Sequence, residues 1–150
     1  MVLFVLHCSI ILSFVSPGSE HHEVIFSAYE GIQALRDIIY TLETFDVGVL
    51  RGSVGMYLVC KYVSEQTDTV VIYSGEGSDE LCQGYVNFKI APSPEEADAE
   101  SRRLLKDLYL FDVLRCDRCT AAHGLELRVP FLDVQFSSYI LSLSPDLRQP

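Results

Sequence analysis

Three acidic residues share a glycine-rich stretch in the middle of the chain, in the sequence SGEGSDE at residues 74–80. The glycines allow the backbone to turn tightly and to approach a ligand closely. Glu76, Asp79 and Glu80 would repel a bare phosphate, but their carboxylate oxygens suit a phosphate that carries Mg²⁺. The stretch therefore favours a nucleotide site that includes magnesium, with an ordinary strand-to-helix turn as the alternative.

The segments on either side of this stretch are predicted to be a strand and the start of a helix. Residues 70–73 are β-branched or aromatic without polar alternation, which is typical of a strand covered on both faces in a parallel sheet. Ser78 and Asp79 can cap the helix that follows. Because ligands of open α/β sheets bind at the carboxyl ends of strands, the acidic loop lies where a ligand is expected.

Two helices are predicted before this strand. Ser27 and Glu30 form a capping-box signature, and apolar residues then recur at helical spacing. Residues 43–52 are predicted to be an irregular linker, which puts Arg51 on a loop, either near a ligand or solvated at the surface. Ser53 is the predicted start of the second helix.

The part of the chain after residue 91 is predicted to be mostly helical. Ser93 and a following proline mark the start of a helix whose apolar face continues to Gly124, with a break near Tyr109. Residues 125–133 are predicted to be extended, because they include a residue that precedes proline. Asp133 can cap a last helix.

Length and charge limit the classes of protein and partner. The 150 residues fit one domain, and 49% apolar with 21% charged residues is ordinary for a globular protein. The formal net charge of −10 argues against a nucleic acid or an anionic membrane as partner. An anionic substrate would need cations close to it, and the candidates are Arg51, Lys89, Arg115, Arg118 and Arg128.

The cysteines and the amino terminus bear on the cellular compartment. Five cysteines without dense spacing indicate reduced thiols and a cytosolic protein. The apolar residues 1–15 are similar to the core of a signal peptide, but they lack a basic start and are too short to span a bilayer. We interpret them as a buried strand or helix, or as a start foreign to the original protein, with secretion as the minor alternative.

A short strand is predicted at residues 24–26.

Two groups of residues imitate metal sites. Cys116, Cys119 and His123 share one face of a helix, but they offer only three ligands, so buried helix residues are the preferred interpretation. The adjacent His21 and His22 would point to opposite sides of a strand. Neither group is predicted to bind zinc.

Several phrases of the sequence, taken in order, resemble the carboxy-terminal synthetase domain of glutamine-hydrolysing asparagine synthetases of the eukaryotic type. A collinear set of this kind is more specific than a single glycine-rich loop. We therefore expect residues 1–17 to be an unmatched apolar leader and residues 18–150 to be part of a synthetase domain. The phrases are GSEHHEV (18–24), LETFDV (42–47), SVGMYL (53–58), SGEGSDE (74–80), APSPE (91–95), LYLFDVLR (108–115), AAHGLELRVPFLD (121–133) and FSSY (136–139).

The resemblance implies an α/β fold, namely a truncated, helix-rich, Rossmann-like parallel sheet of the ATP-pyrophosphatase kind. It also implies an ATP-dependent carbon–nitrogen ligase that uses ATP and Mg²⁺ to convert aspartate into β-aspartyl-AMP. Ammonia, released from glutamine by a separate glutaminase domain, then displaces AMP. Such chemistry needs cations that neutralise phosphate oxygens and a positioned acid or base for the protons of ammonia.

The same resemblance implies a role for each residue of the acidic loop. Ser74 and Gly75 would contact ATP, and Glu76 would be the catalytic acid needed to form or use the acyl-adenylate. Asp79 would help to hold Mg²⁺, and Glu80 would support that metal shell or contact the phosphates.

The sequence also departs from the family pattern. Arg51, expected near the phosphates or the intermediate, follows Gly48 and Val49, where the family usually has two threonines. The 150 residues include neither a Ser-Gly-Gly-x-Asp-Ser phosphate loop nor a glutaminase domain with a cysteine directly after the initiator methionine, where Val2 stands. We therefore expect the isolated chain to be inactive. A non-catalytic short form that only associates with full-length subunits is the alternative.

Overall fold

A computed structural model describes residues 2–6 and 20–148 of the chain. These residues form two compact units, which are described in turn. The first unit comprises Met1–Val70 with Arg118–Leu125, and the second comprises Val71–Asp117 with Glu126–Pro150.

The first unit begins with two short strands, β1 (Val2–Leu6) and β2 (Glu20–Val24). They pair in parallel, with Val2 opposite Glu20 and Leu6 opposite Val24. The prediction of a strand at residues 24–26 was wrong by several positions, because pairing with β1, and not apolar content, determines where β2 lies. Residues 2–6 of the apolar leader are a strand, and residues 7–19 lie outside the described part.

Helix α1 (Ala28–Leu42) confirms the predicted capping box. The amide of Glu30 donates to Ser27 Oγ at 3.2 Å, and the amide of Ser27 donates to the Glu30 carboxylate at 2.7 Å. Ala34, Ile38 and Leu42 form the buried face of this helix, which packs against helix α2. Two orphan amides at the helix start are thus satisfied locally.

Helix α2 (Val47–Gln66) corrects the prediction of an irregular linker. The carboxylate of Asp46 accepts from the amide of Val49 at 2.8 Å and caps a helix that runs without a break through Arg51 and Ser53. Its glycines disfavour a helix, but Val49, Ser53, Cys60 and Val63 are buried along it. Burial of this face outweighs the low local propensity.

The second unit contains a parallel pair of short strands, β3 (Val71–Tyr73) and β4 (Glu126–Arg128). Val71 lies opposite Glu126 and Tyr73 opposite Arg128. The prediction that this strand is covered on both faces was wrong, since Val71 and Tyr73 are 40% and 73% exposed. Within the described residues, β4 is the strand that pairs with β3, and so small a sheet covers little apolar surface.

Helices make up most of the rest of the chain. After helix α3 (Ser78–Leu81) and a 3₁₀ helix at Val86–Ile90, Ser93 caps helix α4 (Pro94–Asp107), as predicted. The predicted break near Tyr109 is confirmed by a 3₁₀ turn at Leu108–Leu110, after which helix α5 (Asp112–Ala121) begins.

The carboxy-terminal part returns to strand β4 after Gly124, whose φ of +69° ends the helical region. A 3₁₀ turn at Pro130–Leu132 leads to helix α6 (Val134–Ser142), and Asp133 caps this helix as predicted. None of the helices formed by residues 20–148 combines the length and the apolarity that crossing a bilayer requires.

Candidate functional site

The acidic loop leaves strand β3 at its carboxyl end, where ligands of parallel sheets bind. The amide of Ser74 donates to the carbonyl of Arg128 at 2.9 Å and extends the pairing of β3 with β4 by one bond. Ser74 is half-buried and Gly75 is exposed, so the predicted ATP-binding residues lie at an accessible turn.

Gly77 fixes the shape of this turn. Its φ is +87°, and a Cβ atom built on it would lie 2.2 Å from Leu132 Cδ2, so both conformation and space require glycine. Gly77, and not Ser78 or Asp79, precedes the first residue of helix α3, and no side chain caps this helix. The predicted capping role of Ser78 and Asp79 was therefore wrong.

Glu76 is half-buried among charged residues of helices α3 and α5. Burial raises the pKa of its carboxyl above the ordinary value of 4.5, and the guanidinium of Arg115 opposes this rise. The negative charges of Asp112, Glu80 and Asp79 add to the rise. An acid in such surroundings can exchange a proton closer to neutral pH than a solvated glutamate can.

Arg115 and Asp112 form an ion pair in the first turn of helix α5. Both side chains are mostly buried, and Arg115 Nε, also buried, has no hydrogen-bond partner among the described residues. From the sequence, Arg115 is only one of several candidate cations, and Asp112 is not among the candidate site residues. The sequence does contain a signal for this ion pair, because an acidic and a basic residue three positions apart lie on the same side of a helix.

Glu80 and Asp79 lie in different surroundings although they are adjacent. Glu80 is only 3% exposed, and its carboxylate accepts a hydrogen bond from the hydroxyl of Tyr85. Burial and this bond both raise the pKa of Tyr85. Asp79 is exposed, and its carboxylate lies against Gly84, where an added Cβ atom would be 2.1 Å from Asp79 Oδ1.

The carbonyl end of helix α3 is held by side chains of other elements. Ser101 of helix α4 donates its hydroxyl proton to the carbonyl of Glu80. Arg148 Nη2 donates to the carbonyl of Leu81 at 3.2 Å and contacts Ser101 Oγ at 2.9 Å, while Nη1 pairs with Asp98. Nothing in the local sequence around residues 74–80 indicates these partners.

The described residues contain no group of three or more His, Cys, Asp and Glu side chains arranged to hold a metal ion. His123 instead has its Nδ1 at 2.8 Å from the carbonyl of Cys119, and its ring packs edge-on against Tyr57. The acidic loop still has the chemistry that Mg²⁺ requires, because this ion usually binds one or two carboxylates and completes its shell with water and phosphate oxygens. Asp79 is exposed enough to be such a ligand.

The other predicted cations lie elsewhere in the two units. Arg51 is exposed on helix α2 of the first unit, where Gly48 is also exposed and Val49 is buried. Arg118 donates to the carbonyl of Leu42 and pairs with the carboxylate of Glu43 at 3.2 Å, all within the first unit. In the second unit, Arg128 pairs with Glu126 of the same strand, and Lys89 is exposed.

Comparison with known proteins places these residues in a wider context. Residues 16–99 and 89–150 match the protein-family model described as Asparagine synthase. Over 133 residues the chain is 69% identical to the glutamine-hydrolysing asparagine synthetase of Mus musculus, and 68% and 67% identical to those of Gallus gallus and Homo sapiens. The aligned part covers 89% of this chain but 24% of each relative. The chain thus spans about a quarter of the length of these curated relatives.

Proposed function

The chain belongs to the asparagine synthase family, and from this premise we propose that residues 74–80 form one side of the ATP site of a synthetase domain. The proposed reaction makes asparagine from aspartate, ATP and glutamine-derived ammonia through β-aspartyl-AMP. Ammonia would come from a glutaminase domain that is not among the 150 residues.

The surroundings of Glu76 are the observation that carries this proposal. A half-buried carboxyl with a raised pKa follows directly after the carboxyl end of a parallel strand, beside Arg115 and three other acids. Proton transfer is most efficient when the pKa of the catalytic group lies near the working pH. Glu76 therefore suits the handling of protons when ammonia attacks an activated carboxylate.

The neighbouring residues complete the proposed roles. The accessible backbone of Ser74 and Gly75 would contact ATP, since the turn presents no bulky side chain there. Glu80 would support the metal shell indirectly or contact the phosphates. Its carboxylate is buried and accepts a hydrogen bond from Tyr85. Arg51 is proposed as a contact of the phosphates or of the intermediate on the basis of family resemblance alone.

We propose that the acidic loop binds Mg²⁺ together with ATP. Asp79 would hold it from the protein side, and the phosphate oxygens of ATP with water would supply the remaining ligands. Bound Mg²⁺ would neutralise phosphate charge that otherwise repels the carboxylate of aspartate. Of the three acids of this loop, Asp79 is exposed, Glu76 is half-buried and Glu80 is buried.

We also propose a fold class, a division of the chain and a cellular location. The parallel pairing of β3 with β4, among packed helices, supports a Rossmann-like sheet of the ATP-pyrophosphatase kind. Residues 18–150 are proposed to be the synthetase part and residues 1–17 a leader outside it. A cytosolic location is proposed from the sparse cysteines, of which Cys60 and Cys82 have free thiols.

Binding of Mn²⁺, as a paramagnetic substitute for Mg²⁺, to the 150-residue chain with ATP tests the proposal. We expect ATP-dependent Mn²⁺ binding, and we expect Asp79→Asn to weaken it about tenfold or more, since a metal ligand is lost. Mn²⁺ retained by the protein would be measured by ultrafiltration in the presence of ATP, against a solution of ATP without protein, because ATP itself binds Mn²⁺. Asp146→Asn is the matched control, because Asp146 is an exposed acid of the same unit. Binding that is independent of ATP, or equal in Asp79→Asn, would refute the proposed site.

A further inference from the structure

Helix α3 carries Asp79 and Glu80, but it has only four residues, Ser78–Leu81. So short a helix leaves its last carbonyl groups without partners inside the helix. The Cys82 amide donates a hydrogen bond to the Ser78 carbonyl at 2.8 Å, and the Gly84 amide donates one to the Asp79 carbonyl at 2.9 Å. The next two carbonyl groups, those of Glu80 and Leu81, are met by the side chains of Ser101 and Arg148.

Arg148 connects these groups from a buried position. Its side chain is 2% exposed, and burial lowers the pKa of its guanidinium. Nη1 pairs with Asp98 of helix α4, while Nη2 reaches both Leu81 O and Ser101 Oγ. A planar guanidinium can hold several acceptors in a fixed arrangement, which a lysine ammonium cannot.

We propose that Arg148 is a positioning residue for the candidate site: with Ser101 it fixes the carbonyl end of helix α3 and thereby the directions of the Asp79 and Glu80 carboxylates. The part that concerns metal binding rests on the proposed function. A buried ion pair is weak evidence for stability by itself, because removing the two charges from water costs free energy. The bond from Arg148 to the Leu81 carbonyl, together with its contact to the Ser101 hydroxyl that binds the Glu80 carbonyl, is a specific geometric reason for this arginine.

Arg102 offers a matched comparison within the same unit. It also pairs with Asp98, at 2.7 Å, but its side chain is 50% exposed and its second contact is the carbonyl of Leu141 in helix α6, at 2.6 Å. Arg102→Met and Arg148→Met therefore each remove an ion pair with the same aspartate, the first at the surface and the second buried. Arg148→Met alone removes a contact with helix α3.

Amide hydrogen exchange tests the positioning without any ligand. In the 150-residue chain, Arg148→Met is expected to speed exchange of the Leu81 and Cys82 amides about tenfold, the size expected when a hydrogen bond to a charged group is lost. Arg102→Met is expected to leave these two amides unchanged. Protected amides of helix α6 in Arg148→Met would show that the unit is still folded. Unchanged exchange at Leu81 and Cys82 in folded Arg148→Met would overturn the proposal.

Two milder variants keep the test decisive if Arg148→Met does not fold. Ser101→Ala removes the hydroxyl bond to the Glu80 carbonyl and the acceptor for Arg148 Nη2, but it leaves the bond from Arg148 to the Leu81 carbonyl. Arg148→Lys keeps the charge but not the fork of donors. Each is expected to speed exchange of the same amides several-fold. Exchange at the wild-type rate in both variants would overturn the proposal as well.

Mn²⁺ binding with ATP then separates positioning from a purely structural role. Among variants with wild-type melting temperatures, Ser101→Ala and Arg148→Lys are expected to bind Mn²⁺ several-fold more weakly, and Arg102→Met is expected to bind it normally. Wild-type affinity in all three would limit Arg148 to a structural role and refute its link with the site. Absence of Mn²⁺ binding by the wild-type chain would instead refute the proposed function, while the exchange result would still decide the positioning of helix α3.

Discussion

Ionisation of Glu76 costs the folded protein free energy, because the carboxylate must form in a half-buried position beside three other acids. Arg115 reduces this cost without removing it, since the pKa stays above the ordinary value. A residue held in this way contributes less to stability when charged than when protonated. The same property makes it useful as an acid or base.

The pH dependence of stability should reveal this residue. Because the folded state holds the Glu76 proton more tightly than the unfolded state does, stability is expected to fall as the pH rises from 4.5 through the folded pKa. Glu76→Gln carries no charge, so its stability relative to the wild type should increase over that window and then stay constant. Urea unfolding at a series of pH values measures the difference.

Glu95→Gln is the control for this comparison, because Glu95 is an exposed acid of the same unit. Its stability relative to the wild type is not expected to rise with pH, since a carboxylate in the first turn of a helix is favoured by the helix dipole. A Glu76→Gln variant that becomes less stable than the wild type as the pH rises would contradict the raised pKa.

At the scale of elements, helices α1, α4 and α6 and their caps could be predicted from the sequence, whereas helix α2 was predicted with its start at Ser53 and not at Val47. Ser27, Ser93 and Asp133 each form hydrogen bonds with amides two or three positions ahead, so their signals are local. The start of α2 also has a local cap, Asp46, but the glycines that follow it lower the helix propensity, and burial of Val49 and Ser53, which a local pattern does not contain, outweighs this.

The cap of helix α2 gives a test at this scale. Asp46→Ala removes the acceptor of the Val49 amide and is expected to destabilise the protein by about 1 kcal/mol, the usual effect of losing such a cap. Asp46→Asn keeps an acceptor oxygen and should cost only a few tenths of that amount. Equal stabilities of the two variants in urea unfolding would show that the cap contributes nothing.

The candidate site also has a part that could be predicted from the sequence and a part that could not. Ser74, Gly75, Glu76, Asp79 and Glu80 are consecutive or nearly so, and their grouping could be recognised from the sequence. The partners that set their charge and direction lie on helices α4 and α5 and at Arg148, and only the tertiary structure brings them to the loop. A local sequence pattern does not show contacts between residues that are tens of positions apart along the chain.

At the scale of the whole molecule, the second unit exposes strand residues that are normally buried in parallel sheets, as Val71 and Tyr73 show. An open edge beside such residues favours association or aggregation, so we expect the 150-residue chain to be poorly soluble alone. Association with full-length subunits would cover these residues and remains a proposal.

The isolated chain is not expected to exchange pyrophosphate into ATP in the presence of aspartate. The exchange needs phosphate contacts on more than one side, and the family's first phosphate loop is not among these 150 residues. Incorporation of labelled pyrophosphate into ATP measures the reaction, with the Mus musculus asparagine synthetase as the positive control. Clear exchange by the chain that Glu76→Gln abolishes would overturn this prediction.

The pairing of β3 with β4 has a consequence for the order of folding. These strands are adjacent in space, but residues 74–125 lie between them along the chain. Closing so long a segment costs chain entropy before any contact between the strands repays it, whereas helices α4 and α5 form from neighbours in sequence. The bond from the Ser74 amide to the Arg128 carbonyl must wait for that closure. We therefore expect the loop that carries Glu76 to acquire its final conformation late, after the helices that supply its charged neighbours.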